Sequence, residues 1–166
     1  PLGGKLFTMY LKDVGSHMYQ FDYNGKQEKE VAFPVIGSAG FETGRKDVDR
    51  FYYYFTSFNY PTTIYSYDVD SGMQSVFFRP DAKFDPSAYE VKQVFYTSKD
   101  STKVPMFILY KKGLKLNGKN PVLLYGYGGF DVSETPYFSA SIMTLLEYGA
   151  VYAIANLRGG NEYGET

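Results

Sequence analysis

Cysteine and tryptophan are absent from these 166 residues, and histidine occurs once, at His17. Without thiols there is no disulfide, no cysteine-ligated zinc and no thiol nucleophile, and nothing marks the redox compartment beyond compatibility with the cytosol. A single histidine leaves no cluster for a metal, and neither H-E-x-x-H nor an EF-hand loop occurs, so no metal and no cofactor is expected. Excess charge is lacking as well. Lys+Arg 17 against Asp+Glu 18 gives a net charge of -1, with no basic surplus to neutralise phosphates, which excludes nucleic acid as the expected partner. No apolar run approaches about 18 residues and no signal-peptide pattern opens the chain, so the expectation is a cytoplasmic protein with no membrane partner. The chain opens on Pro1-Leu2-Gly3-Gly4 without an initiator Met, which reads as an excised or incomplete piece.

What the chain does have is aromatic residues, at 19% of the composition, and two textures. From Lys5 to about Phe78 the pattern is short, alternating, aromatic-rich strands broken by turn residues. Met18-Tyr19-Gln20-Phe21-Asp22 recurs 46 positions later as Ile64-Tyr65-Ser66-Tyr67-Asp68, and Leu6-Phe7 meets Tyr52-Tyr53 in the same register. Each copy ends in a turn, Asn24-Gly25 or Ser71-Gly72, before another short strand. A period of roughly 40 to 50 residues is that of a four-stranded propeller blade, so residues 1–80 are expected to form two blades, the first incomplete. Tyr52-Tyr53-Tyr54 is read as packing between blades, not as a platform for bases. His17, aligned with Thr63, is read as structural.

The proline-bearing polar stretch from Arg79 to Pro86 marks a boundary, with residues 81–88 as linker and 89–166 as a second unit. There, Tyr89 to Thr97 and Val104 to Tyr110 predict an antiparallel hairpin around Lys99-Asp100-Ser101. Val122 to Tyr125 and Ala150 to Ala155 are nearly continuous apolar runs, as strands covered on both faces require. Helical spacing from Phe138 to Tyr148 lies between them, ending at Gly149, so the segment predicts one βαβ unit.

Two glycine-rich loops leave those strands, Tyr125-Gly126-Tyr127-Gly128-Gly129-Phe130 and Arg158-Gly159-Gly160-Asn161-Glu162-Tyr163-Gly164-Glu165. The first is no dinucleotide fingerprint, because Asp131 stands where the third glycine belongs, and no P-loop lysine follows. The single Arg-Gly-Gly is a tight loop, not an RNA-binding tract. A phenol framed by Gly126 and Gly128 has a specific use in acyl transfer, where a preorganised donor to the oxyanion is worth roughly 10² to 10³ in rate. Packing in a core is the other use of such a tyrosine, and the residues alone leave both open for Tyr127. No G-x-S-x-G nucleophile elbow is present.

Val94-Phe95-Tyr96-Thr97-Ser98-Lys99-Asp100-Ser101-Thr102-Lys103-Val104-Pro105-Met106-Phe107-Ile108, Lys111-Lys112-Gly113, the Tyr125–Phe130 run, Ala155-Asn156-Leu157-Arg158-Gly159-Gly160 and Glu162-Tyr163-Gly164-Glu165 together resemble the prolyl oligopeptidase family. The resemblance spans the chain and is strongest from about residue 91. It implies the C-terminal blades of a seven-bladed β-propeller followed by the first strands of an α/β-hydrolase sheet. It also implies a serine endopeptidase, monomeric when intact, that cleaves short proline-containing peptides on the carboxyl side of proline. Tyr127 matches the family's oxyanion-stabilising tyrosine, and Phe130 an aromatic of its proline pocket. Asn161 departs from the glycine usual in the second loop. The triad serine, aspartate and histidine match nothing in this sequence and are expected after Thr166, so this chain alone is expected to be inactive.

Two other readings stand beside this one. A related oligopeptidase of different specificity would want carboxylates in its pocket where Phe130 offers an aromatic face, and a non-catalytic propeller-containing binding module would lack the triad altogether. An unfinished parallel sheet and open blade edges predict marginal stability for the isolated chain. A sharp, reversible thermal transition with monomeric sedimentation would count against that expectation.

Overall fold

The computed structural model describes residues 1–41 and 44–164, which form three sheets. The first has three antiparallel strands in the order β1 (Leu6–Lys12), β2 (Gly15–Phe21) and β3 (Gln27–Val31). The second has four, β4 (Ser38–Phe41), β5 (Arg50–Ser57), β6 (Tyr60–Asp68) and β7 (Gln74–Phe78), again in chain order. The sequence repeat maps β1 onto β5 and β2 onto β6, so the first sheet lacks only a counterpart of β4. Such sheets are consistent with propeller blades.

The recurring Asp22 and Asp68 explain why both copies turn where they do. Each carboxylate accepts backbone N–H groups of its own turn, from Asn24 and Lys26 at 2.9 and 2.8 Å in one copy and from Ser71 at 2.9 Å in the other. Gly25 (φ 82°) and Gly72 (φ 74°) supply the left-handed residue. The Lys26 N–H first of all holds Asp22 below the usual carboxylate range, and the Ser71 hydroxyl (2.6 Å), followed by the Ser71 N–H, does the same for Asp68.

Period-2 alternation in β5 turns Phe51, Tyr53 and Phe55 inward and leaves Tyr52 and Tyr54 exposed. Only the middle tyrosine of the triplet therefore packs in the core, while Tyr52 lies against Phe77 on the outer face at 4.7 Å between ring centroids. Phe7 of the first sheet meets Phe51 and Tyr67 of the second at 4.7 and 5.7 Å, which joins the two sheets through one aromatic core. The buried Gln20 is satisfied on both sides, accepting from the Tyr67 hydroxyl and donating to Glu28. His17 lies on β2, its Nδ1 2.9 Å from Glu30, far from the glycine loops in sequence and hydrogen-bonded within its own sheet.

The third sheet runs in the order β10 (Val122–Tyr125), β11 (Val151–Ala155), β9 (Lys103–Lys111) and β8 (Tyr89–Thr97). The β8–β9 hairpin turns through Ser98–Thr102 with Ser101 at φ 70°. Strands β10 and β11 are parallel and joined through helix α1 (Ala140–Glu147), which makes a βαβ unit. Helix α1 ends in a Schellman motif. The N–H groups of Gly149 and Ala150 return to the carbonyls of Leu146 and Leu145, with Gly149 at φ 80°. Strand β11 is buried along its whole length, as its apolar run requires. Strand β10 departs from expectation: it is the sheet edge, and all four of its residues are exposed. Apolar composition cannot separate an edge strand from a central one, because only the presence of a neighbour distinguishes them. Among the described residues no helix is long and apolar enough to cross a membrane.

Two hairpin tips from the first two sheets plug the core of the third. Val14, in the two-residue turn between β1 and β2, and Phe58, between β5 and β6, are buried with Tyr89, Phe107, Leu109, Met143, Leu146, Tyr152 and Ile154. Phe58 and Phe107 are 5.0 Å apart between centroids. Val14 adopts φ 65° beside Asp13 at φ 46°, a conformation costing a β-branched residue roughly 1–2 kcal/mol. Complete burial of a valine contributes about 1.5–3 kcal/mol and offsets that cost. Hydrogen bonds seal the joint: Gln93 Nε2 donates to the Asp13 carbonyl (2.6 Å), Ser38 Oγ to the Pro136 carbonyl (2.7 Å), and Asn59 Nδ2 to the Pro86 carbonyl (3.1 Å). Phe84 stacks on Phe138 at 5.2 Å, so the polar 81–88 stretch is itself packed down.

Replacing Phe58 by alanine should therefore cost about 3–5 kcal/mol and uncouple the two cores. Urea unfolding followed by tyrosine fluorescence should change from one transition to two. A single transition shifted by under about 1 kcal/mol would mean the tip is not a coupling element.

Candidate active site

Both glycine-rich loops leave the carboxyl ends of adjacent parallel strands, the first after β10 and the second after β11, where open α/β sheets place their ligand crevices. The loops interlock. A Cβ on Gly128 (φ 62°) would lie 2.5 Å from Leu157 Cβ and 2.8 Å from the Arg158 carbonyl oxygen. A Cβ on Gly159 (φ 94°) would lie 2.4 Å from the Gly128 carbonyl oxygen. Side chains at either position would push the loops apart, so bare backbone is a steric requirement of the contact. The Asp131 N–H donates to the Gly159 carbonyl at 3.1 Å and ties them further.

Gly129-Phe130-Asp131-Val132 forms a tight turn in which the Val132 N–H donates to the Gly129 carbonyl (3.1 Å), with Phe130 and Asp131 at φ 53° and 55°. Two consecutive left-handed residues are the signature of a type I′ turn, normally reserved for glycine, asparagine and aspartate. Phenylalanine is held there with its ring 91% exposed. Tyr127 is 48% exposed, and its hydroxyl makes no hydrogen bond among the described residues. Both sequence-selected residues thus stand on one strained, glycine-framed segment at the mouth of the sheet, and Tyr127 is not a packed core tyrosine. Asn161 lies outside the left-handed region, so its position makes no demand that only glycine could meet. Glu165, part of the second loop's motif, lies outside the described residues.

Residues given no role from the sequence hold the loops in place. The Glu162 carboxylate, buried with 6% exposure, accepts the Glu134 N–H at 2.9 Å and an Asn156 Nδ2 hydrogen at 3.1 Å. Asn156 Nδ2 also donates to the Glu134 carbonyl at 2.9 Å. Arg158 pairs with Asp100 at the tip of the β8–β9 hairpin, and the Tyr163 hydroxyl donates to the Asp13 carboxylate at 3.3 Å. Glu162 belongs to the second loop's motif, but little in the sequence signalled its burial, since a loop glutamate is ordinarily solvated. A carboxylate within a glycine-rich loop, far in sequence from any basic run, is the one pointer it offers.

Electrostatics around the loops follow from these neighbours. The Glu134 carboxylate raises the Tyr125 phenol above its ordinary value, burial raises Tyr152 to about 12, and burial followed by Asp13 raises Tyr163. Hydrogen bonding from Arg158, aided by the Thr102 N–H, holds Asp100 down to about 2. A depressed carboxylate contributes stability above its unfolded value and loses it as pH falls toward the folded one. Asp100→Asn should therefore destabilise the protein above about pH 4, and the gap to the parent should close toward about pH 2. Both ends of the pair are on the surface, so the gap should also shrink in salt. Urea titrations of both proteins across this range measure it, and a pH-independent gap would assign the loss to turn geometry instead.

Residues 1–79 match the family model described as the prolyl oligopeptidase N-terminal beta-propeller domain. Over 163 residues the chain is 47% identical to a prolyl endopeptidase of Elizabethkingia miricola, covering 98% of this chain and 23% of that protein. It is 37% identical to a dual function macrocyclase-peptidase of Galerina marginata, covering 95% of this chain and 22% of that one. Among solved structures, one from a study of two prolyl endopeptidases and the role of inter-domain dynamics superposes with a TM-score of 0.92 at 47% identity, covering 98% of this chain and 24% of that chain. Galerina marginata prolyl oligopeptidase B bound to a 25mer macrocyclization substrate superposes with a TM-score of 0.89 at 35% identity, covering 98% of this chain and 23% of that one. The chain thus spans about a quarter of the length of the relatives it matches.

Proposed function

We propose that the chain belongs to the prolyl oligopeptidase family and forms the junction of a serine endopeptidase that hydrolyses short peptides on the carboxyl side of proline. On this reading residues 1–80 are the last blades of the propeller, 81–88 the linker, and 89–166 the start of the α/β-hydrolase peptidase domain. The intact enzyme would be a cytoplasmic monomer. The observation that carries the proposal is the glycine-framed segment after β10, which projects Tyr127 and Phe130 together beyond the carboxyl ends of two parallel strands. Its likeness to prolyl endopeptidases along the same stretch supports it.

In the proposed mechanism a serine outside this chain attacks the carbonyl carbon of the proline itself. A histidine held by an aspartate takes the serine proton and passes it to the leaving amine as the C–N bond breaks, and water then releases the acyl group. During the attack, negative charge develops on the carbonyl oxygen. Tyr127 donates its hydroxyl hydrogen to that oxyanion, which requires a phenol free of other partners and close to the reacting carbon. Flanking glycines leave the substrate backbone room to approach. Phe130 offers a flat apolar face to the proline ring, where a site selecting lysine or arginine would instead present carboxylates. Chemistry needs all of these groups, so the 166-residue chain by itself is expected to be inactive.

Hydrolysis of a chromogenic peptide with proline before the scissile bond tests the reading, comparing this chain with the longer protein that carries it. Activity confined to the longer protein supports a serine peptidase, whereas inactivity of a folded longer protein favours a binding module. In the active protein, Tyr127→Phe should lower kcat by roughly 10² to 10³ and leave KM nearly unchanged, because the hydroxyl acts mainly in the transition state. A raised KM at unchanged kcat would reassign Tyr127 to substrate positioning.

A further inference from the structure

We propose that Glu162 and Asn156 are positioning residues that clasp the loop after β10 onto the loop after β11, and so set where Tyr127 presents its hydroxyl. The inference rests on the peptidase reading above and names the part of the site that aims its donor.

Glu162 is a buried carboxylate, and none of the ion pairs among the described residues involves it. Burial of an unpaired charge is costly unless hydrogen bonds replace water. Here one donor comes from the opposite loop, after β10, and one from Glu162's own loop, after β11. The Glu134 N–H (2.9 Å) and Asn156 Nδ2 (3.1 Å) converge on one carboxylate oxygen. The other oxygen occupies the space a Cβ on Gly160 would need, 2.2 Å from that position, so Gly160 is bare to admit it. Asn156, 5% exposed, completes the clasp by donating to the Glu134 carbonyl (2.9 Å), while its own N–H is anchored to the Pro105 carbonyl on β9 (3.0 Å). Both polar main-chain groups of Glu134 are thereby held by one side-chain pair.

Glu134 ends the segment that begins at Gly126. Pairing of Tyr125 with Ile154 fixes the segment at its start, and the Asp131 N–H bond to Gly159 fixes its middle. The Glu162–Asn156 pair fixes its end. Among the described residues Tyr127 makes no hydrogen bond of its own, so backbone placement decides where its hydroxyl lies. A donor to an oxyanion works over a window of a few tenths of an ångström, which makes the clasp matter for turnover more than for substrate affinity.

The test is a double-mutant cycle in the longest natural protein carrying this segment, with Glu162→Ala and Tyr127→Phe alone and together. Glu162→Ala should lower kcat roughly 10- to 100-fold with little change in KM, and Glu162→Gln, which keeps the acceptor oxygen, should restore most of it. In the Tyr127→Phe background Glu162→Ala should cost far less, because the group it aims is already gone. Hydrogen exchange at the Asp131 and Glu134 amides should quicken in Glu162→Ala while β9 amides stay protected. Full additivity of the two substitutions, or unchanged exchange at Asp131 and Glu134, would overturn the inference. Where Glu162→Ala does not fold, Asn156→Ala carries the same cycle. A parent without prolyl peptidase activity would sink the peptidase reading instead, and exchange alone would then decide whether the clasp exists.

Discussion

Backbone meets backbone where Gly128 and Gly159 cross, closer than any side chain permits, and the geometry of the sheet mouth follows from that contact. Parallel strands β10 and β11 are adjacent, so the loops leaving their carboxyl ends must diverge, collide or interlock. Interlocking needs bare α-carbons on both sides, which the two glycine-rich runs supply. Once the loops are engaged, polar groups trapped between them need partners away from water, and Glu162, the Asn156 Nδ2 group and the main chain of Glu134 supply them to one another, while Asn156 Oδ1 stays buried without a partner among the described residues. Steric permission and hydrogen-bond satisfaction thus act in sequence, the first allowing the approach and the second making it specific.

The other constraint is hydrophobic. A hairpin tip is normally solvated, yet Val14 and Phe58 sit at such tips and are buried in the core of a different sheet. The left-handed backbone at Val14 is tolerated because the burial it gains is at least as large as the strain. A strained residue held by its surroundings makes docking all-or-none, since partial withdrawal keeps the strain and forfeits the contacts. The hydrophobic joint and the clasp also meet in the chain: Glu162 closes the clasp, and Tyr163 beside it reaches Asp13, the neighbour of Val14. The first sheet is thereby in physical contact with the loop after β11, against which the loop carrying Tyr127 and Phe130 is held.

Much of this fold was legible because its signals are local. Asp22 and Asp68 recur with their turn glycines, and an aspartate that bonds its own turn leaves a mark in sequence wherever it acts. Gly149 announced the end of α1 for the same reason, since only glycine adopts a left-handed C′ position without penalty. The failures concern partnership at a distance. Val122 to Tyr125 read as a covered strand because apolar composition says nothing about which neighbours are present. Tyr52 and Tyr54 face outward because alternation assigns faces, while a run of three tyrosines hides the alternation. Of the site, the glycine loops and Tyr127 were legible from spacing, with the use of the tyrosine left open, whereas Phe130 was picked out only by the family resemblance. The polar groups that brace them were not, because a buried glutamate and a solvated one are the same letter until the opposing loop is in place.

Two cases of apolar exposure have different causes. The residues of β10 and β7 are exposed on edge strands, at the ends of the third and second sheets, where no further strand of the described fold follows. Phe130 is exposed by its own backbone: consecutive left-handed residues, each costing roughly 1–2 kcal/mol, lift a phenylalanine almost wholly into solvent. Nothing within the described fold gains from that arrangement, for the ring touches no core and the turn could be made at less cost with Asn-Gly. Strain without an internal return calls for an external one. A flat apolar ligand seated against Phe130 would supply it, and the proline ring of the proposed substrate is such a ligand. On that account the strained turn and the phenol three residues before Phe130 would be two parts of the proposed site, one face for the proline ring and one donor for that proline's own carbonyl oxygen.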